Sequence, residues 1–431
     1  MDKRLTNIIL LSIAILLLYT GAQTMGSIQK TIIDSIKKDT SFEENGYYSQ
    51  AINSAFFSVF TWAVPSVIHS FGVKLTLCLG ALLNVLFILQ FLLEKVWILY
   101  VFCSLAGFGT ALLGAALGNY VSLNSSENTI NRNTAIFTII SSFNMITGNI
   151  IVMCGFSGHR EINKHTRILV LAIFAGVSAI GLIVFLFLPK HQKEEKSKDI
   201  SDSGAVESFL EALKLSITKN MLLLGVIFMY GGILSGFMNG IYSSALGFTQ
   251  NLQNSKQLVG LSGIFVGIGE IFGGSVVTIF GKKVVDLGRN LLTVIACSLH
   301  SLSYILIFIN LPNNSPFGDT TDKAIIESNT VLAMFCSFLL GLGDCIYVNV
   351  IFSLIGTIYS ENSATAFSIL QFFVGIASVI DFLTADYLGM YYQVATLFIL
   401  GILGTTSLIT VNISSKQNKI IEHKSKTEIS Q

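Results

Sequence analysis

Residues 258–280 read LVGLSGIFVGIGEIFGGSVVTIF and carry a single charge, Glu270. At about 1.5 Å of rise per residue, a helix of this length crosses a hydrocarbon core of roughly 30 Å. Gly260, Gly263, Gly267, Glu270 and Gly274 recur at intervals of three or four and so share one helical face. The opposite side carries bulky Val, Ile and Phe. The small-residue face predicts close approach of a neighbouring helix backbone. A carboxylate at that depth must face protein or a water-filled cavity, either as a structural hydrogen-bonding group or as a participant in transport or gating.

The rest of the chain is of the same kind. Of its 431 residues 52% are apolar and 12% charged, and mean hydropathy is +0.70; soluble domains carry roughly 25% charged residues. An all-α integral membrane protein is expected, with the lipid bilayer as its first partner. Lys and Arg number 26 against 25 Asp and Glu, and no basic cluster is interleaved with aromatics, so nucleic acid is excluded as a partner. Cys78, Cys103, Cys154, Cys297, Cys336 and Cys345 all fall in apolar segments without CxxC spacing. They read as buried small hydrophobes, not as disulfides or metal ligands. Lys3 and Arg4 ahead of an apolar run look like a signal peptide. The run extends from Asn7 to about Ser27 with no A-x-A site to close it, and so reads as a first transmembrane helix.

Twelve spans are expected, at 7–27, 50–71, 73–93, 97–121, 134–155, 168–188, 221–245, 258–280, 290–310, 329–351, 364–384 and 393–412. Pro65, inside the second, should kink it. The polar stretch 189–220 divides the chain into a six-helix half at 1–188 and another at 221–412, followed by a tail at 413–431. Composition makes that stretch a flexible linker. Seventeen of the 26 Lys and Arg residues fall on the side of the N-terminus, which places both termini and the linker in the cytoplasm. The halves repeat weakly. Gly107 and Gly109 match Gly341 and Gly343, Ser126-Glu127-Asn128 match Ser360-Glu361-Asn362, and Phe57 pairs with Phe265. Internal repeats of this kind build many transporters.

Six-plus-six spans around a basic linker resemble the major facilitator superfamily. Its loop motif after the second span, Gly-x-x-x-Asp-Arg/Lys-x-Gly-Arg/Lys, survives here as PSVIHSFGVK (65–74). Gly72 and Lys74 fit, and His69 stands in place of the aspartate. The loop after the eighth span keeps Gly281, Lys282, Lys283, Gly288 and Arg289. Four long segments resemble the Unc-93-like branch: NIILLSIAILLLYTGAQTMGSIQKTII (7–33), GNYVSLNSSENTINRNTAIF (118–137), LVGLSGIFVGIGEIFGGS (258–275) and CSFLLGLGDCIYVNVIFSLIGTIYSENSATAF (336–367). The resemblance implies a fold of two six-helix halves whose first, fourth, seventh and tenth spans line a central cavity. It implies no catalytic residues, and its members include channel regulators and trafficking partners of immune receptors.

Asp344, in GLGDCIY of the tenth span, shares a face with Ser337 and Gly341 and is the second intramembrane carboxylate. With Glu270 it is a candidate proton or substrate site, since no Lys or Arg falls within a span; each also reads as a structural carboxylate. Tyr19, Gln23, Asn119, Asn144, Asn239 and Gln371 are candidates for cavity lining, or for hydrogen bonds between helices. His300 lies in an outer span and reads as structural. Of the sequons at Asn124, Asn313 and Asn412, only Asn313 lies on the outer or luminal side, which makes it the glycosylation candidate. No nucleophile–base pair, phosphate loop, cofactor motif or metal-ligand spacing is present. Function divides between a proton-coupled secondary transporter of a small solute and a non-transporting regulator or escort of another membrane protein. Without Lys or Arg in the cavity, a strongly anionic cargo is disfavoured.

Overall fold

The computed structural model describes residues 3–40, 42, 44–126, 129–158, 161–189, 205–279, 288–359 and 362–429. In the first half the helices are α1 (Lys3–Asp39), α2 (Gly46–Phe60), α3 (Val64–Leu89), α4 (Val96–Leu123), α5 (Ile130–Phe156) and α6 (Lys164–Leu186). Within the connection lies α7 (Ala205–Ser216), so part of the polar stretch is itself helical; residues 190–204 lie outside the described residues. The second half contains α8 (Lys219–Gly236), α9 (Ser243–Phe248), α10 (Ser255–Ile279), α11 (Arg289–Asn310), α12 (Thr330–Ile358), α13 (Ser363–Thr384) and α14 (Met390–Ile429). A π-helical stretch, Phe237–Tyr242, joins α8 to α9.

Among the described residues, 11 helices are long and apolar enough to cross a membrane, not twelve. The difference lies at the expected second span. There α2 stops at Phe60, Thr61–Ala63 form a turn, and helix resumes at Val64 with Pro65 in its first turn. Proline has no N–H for the i−4 carbonyl, so the chain breaks just ahead of it instead of bending through it. The expected boundary between second and third spans survives inside α3 at Gly72, with φ 78° and ψ 162°. Gly288, at the start of α11, repeats that conformation with φ 80° and ψ 148°. A Cβ would be strained at both. What remains of the two degenerate loop motifs is therefore the glycine that each turn needs.

The internal repeat also has a packing equivalent. Gly107 on α4 meets the backbone of α2 at Asn53 and Phe57, and Gly341 on α12 meets the backbone of α10 at Val266. Gly109 packs on α3 at Gly80 and Leu83, and Gly343 packs on α11 at His300. Glycine at 107 and 341 lets equivalent helix pairs approach at backbone distance in both halves, whereas Gly343 makes room for the His300 ring. Glu127, Asn128, Ser360 and Glu361 of the third repeat fall outside the described residues.

Two seams join the halves. Gly260, Gly263 and Gly267 of α10 face α5; a Cβ on Gly260 would lie 2.5 Å from Met153 N, and one on Gly267 would lie 3.2 Å from Met145 Cβ. The part of the small-residue face at Gly260, Gly263 and Gly267 is thus covered by a helix of the other half, while Gly274 meets Cys345 of α12. At the second seam a Cβ on Gly375 of α13 would stand 2.6 Å from Ser58 Cβ of α2. Ser58 Oγ donates to the Phe372 carbonyl at 2.9 Å.

Several helices start at the end of the bundle opposite the N-terminus, called distal here. Asn45, Asn163 and Asn329 cap α2, α6 and α12 there, each side chain accepting a backbone N–H of the first turn. Several charges expected in loops are built into helix ends near this face. Lys30 is buried within α1 and pairs with Asp34 at 3.1 Å. Arg167, 1% exposed in α6, pairs with Asp39 at 2.9 Å and Glu94 at 3.0 Å and donates to Ser35 Oγ at 3.2 Å.

Candidate functional site

A cavity of about 370 Å³ lies between the halves. Of the candidates read from sequence, Tyr19 and Gln23 on α1 and Asn239 on the π-helical stretch line its wall. They are joined by Gln50, Asn53, Asn84 and Thr110 from the first half and Ser235 and Ser378 from the second. Phe87 and Phe382 supply aromatic surface, and among the described residues no Lys, Arg, Asp, Glu or His lines the wall. The π-helical stretch inserts extra residues into the turn, a device frequent at functional sites. Its Gly240 faces the Gln50 amide, and Asn239 Nδ2 turns back to the Ser235 carbonyl at 3.1 Å.

Three further candidates are not brought to this wall. Asn119 is exposed on α4 and Gln371 half-buried on α13. Asn144 is buried, its Nδ2 donating to the Ser141 carbonyl at 2.6 Å while its Oδ1 finds no donor. Gln50, Asn84, Ser378 and the neighbouring Asp381 were the residues missed by sequence reasoning. Gln50 and Asp381 sit at the ends of expected spans, where polarity looks like a boundary. For Asn84 the available signal was an amide in the middle of an apolar run.

Glu270 and Asp344 form a separate pair. Gly273 of α10 packs on α12 at Leu342 and Cys345. That contact holds the two carboxylates within electrostatic range of each other. Both are half-buried, and neither makes a hydrogen bond or ion pair with a described residue.

At the distal end of the bundle, charges from both halves meet. Lys38 of α1 reaches Asp319 at 2.9 Å and Glu161 at 3.0 Å, and Lys256 of α10 holds the other Asp319 oxygen at 2.5 Å. Tyr47 donates to the Pro316 carbonyl at 3.0 Å, and the Tyr48 and Tyr387 hydroxyls meet at 2.8 Å. Burial pushes the Asp319 carboxyl up, but hydrogen bonds and charges from Lys256 and Lys38 outweigh it and hold the group below its ordinary value.

His300 belongs to a buried polar network in the second half. Its Nε2 lies 3.0 Å from the Leu340 carbonyl, which can only accept, so Nε2 carries the proton. Nδ1 then accepts from Tyr230 at 2.7 Å, and Tyr230 accepts from Tyr304 at 2.8 Å. Asn313 is also engaged. Its Oδ1 accepts from Tyr391 N at 3.1 Å and its carbonyl from Met390 N at 2.8 Å, tying the α11–α12 connection to α14.

Residues 37–409 match the family described as "Ion channel regulatory protein UNC-93". The UNC93-like protein MFSD11 of Xenopus laevis is 33% identical over 440 residues, covering 97% of this chain and 98% of its own. The chain belongs to the UNC-93 family. A second UNC-93 relative, UNC93-like protein MFSD11 of Xenopus tropicalis, is 32% identical over 95% of this chain and 96% of its own. Among solved structures, a POT family transporter in complex with 5-aminolevulinic acid superposes with a TM-score of 0.68 at 13% identity, covering 96% of each chain. The nucleoside transporter NupG superposes with a TM-score of 0.65 at 14% identity, covering 95% of this chain and 99% of that one. These likenesses show that this chain shares its fold with such transporters. By name, neither the relatives nor these neighbours are enzymes.

Proposed function

We propose that this UNC-93 member is a secondary transporter of a small solute that works by alternating access. One observation carries the reading: a polar cavity walled by both halves, with the Lys38–Asp319–Lys256 ion network joining the halves at the distal end of the bundle. The Lys and Arg distribution supports a cytoplasmic N-terminus, so the distal end faces outside or the organelle lumen. Glu270 and Asp344, on the packed helices α10 and α12 and without an ion pair to a described residue, are the groups we assign to proton coupling.

Solute uptake into proteoliposomes holding the purified protein, with and without a pH gradient, tests this. Accumulation that collapses with the gradient supports it. No uptake across a broad solute panel, together with a stably co-purifying channel or receptor, supports instead a regulator or escort of another membrane protein. That second reading draws on the family's printed description as ion channel regulatory.

A further inference from the structure

Asp381 lies on α13 between Ser378 and Phe382, which both line the central cavity. It is 7% exposed. Its Oδ2 is sealed from solvent and receives no hydrogen bond from a described residue. That oxygen stands against the bare face of Gly236, a cavity-lining residue: a Cβ there would fall 2.5 Å from it. One turn later, Gly240 faces Gln50 of the opposite half. Gln50 Nε2 donates to the Gly26 carbonyl at 2.7 Å, yet its Oε1 is likewise sealed and without a donor.

Two buried acceptors from opposite halves thus flank the same stretch of the cavity wall with nothing to accept from. Leaving such groups unsatisfied is costly, a carboxylate most of all. What satisfies them must donate hydrogen bonds, and a donor that also carries positive charge would let Asp381 ionise where burial alone disfavours it. Among the described residues no Lys, Arg or His lines the cavity to supply that charge. Among the described residues no group of three or more His, Cys, Asp or Glu gathers to hold a metal ion. The aromatic faces of Tyr19, Phe87 and Phe382 suit the alkyl and cationic parts of an organic ion, and about 370 Å³ admits a small one.

We propose that the central cavity binds a small organic cation, a protonated amine that meets Gln50 on the wall and is stabilised by Asp381 immediately behind Gly236. This names a solute class for the transporter reading and rests on it, but equilibrium binding does not require translocation. The test uses full-length protein in detergent, with butylammonium chloride as probe and butanol and potassium chloride as controls. Calorimetric binding and a raised unfolding temperature are expected with butylammonium and not with either control. Asp381→Asn should weaken binding about tenfold or more, the weight of one charge-assisted contact, while Cys154→Ser binds as wild type. Gln50→Leu should also weaken it, and carries the test if Asp381→Asn does not fold. Equal stabilisation by butanol, or unchanged affinity in the folded Asp381 or Gln50 variant, overturns the proposal. Specific butylammonium binding without uptake of any solute would support the site and remove the transporter reading. Uptake of a neutral solute with no butylammonium binding would do the reverse.

Discussion

Lys38 and Asp319 meet at 2.9 Å across 281 residues of chain, one from each half. Lys256 holds the same carboxylate from the other side. Asp319→Asn should therefore loosen the distal closure while leaving the fold intact. An exposed-side pair of this type contributes roughly 0.2–1 kcal/mol. Faster amide exchange in residues 311–329, with an unchanged unfolding temperature, is the expected result. Unchanged exchange would mean that the tyrosine contacts alone hold this end.

The same carboxylate sets a pH dependence. Asp319 is held below its ordinary value in the folded chain, so the folded state favours its ionised form. Its contribution is fully present above about 4, the ordinary aspartate value, and is lost as pH falls through the lower folded value. Distal opening, read by labelling of a cysteine introduced at Gly318, should rise on acidification below that range. In Asp319→Asn the acid-dependent part should vanish.

Arg167 is the most deeply buried charge at the distal end, with both partners partly exposed. Arg167→Met should cost on the order of 3 kcal/mol, the lower end for breaking a buried ion pair, because Asp39 and Glu94 remain within reach of water. Arg167→Lys keeps the charge but not the two-armed geometry and should fall in between. Thermal unfolding of the three proteins in one detergent checks the order.

Gly267 faces Met145 and Ile146 of α5, whereas nothing lies within 4 Å of a Cβ on Gly114 of α4. Gly267→Leu is expected to cost on the order of 1–3 kcal/mol by overpacking. Gly114→Leu should stay within about 0.5 kcal/mol, as surface substitutions do. Equal unfolding temperatures for the two variants would place the small-residue face of α10 against lipid.

Glu270→Gln and Asp344→Asn should preserve fold and surface level, abolish uptake driven by a pH gradient, and spare solute exchange. An amide can replace a carboxyl that only donates a hydrogen bond, but it cannot load and release a proton. Retention of the full pH dependence in both amide variants would exclude the pair from coupling.

The fold was largely legible because a membrane span writes itself in hydropathy, and because the glycine spacing of residues 258–280 marks a helix covered by backbone. The second span was misread for a physical reason. Residues 55–64 are apolar except for Ser58 and Thr61, which hydropathy tolerates within a span, so Pro65 was the main signal of a break, and a proline in a helix's first turn looks like one in its interior. The cavity was half legible. Tyr19, Gln23 and Asn239 declared themselves as polar groups inside spans. Gln50 and Asp381 did not, because a polar residue near a span end resembles the edge of the membrane until helices crossing at an angle bring it inward. Arg167 was hidden likewise: nothing in HTRILV distinguishes a solvated loop arginine from one clamped between two carboxylates.

The seams between the halves have a mechanical meaning. Gly260 meets the α5 backbone and Gly375 meets Ser58, so at these points the halves touch at backbone distance. In the proposed alternating-access reading, turning one half against the other reorders fewer side chains there than at a seam of interlocked long ones. On that reading these contacts would act as bearings that fix where the axis lies. Resistance would then be concentrated at the distal latch, and whatever loosens that latch would govern how often the proposed cycle turns over.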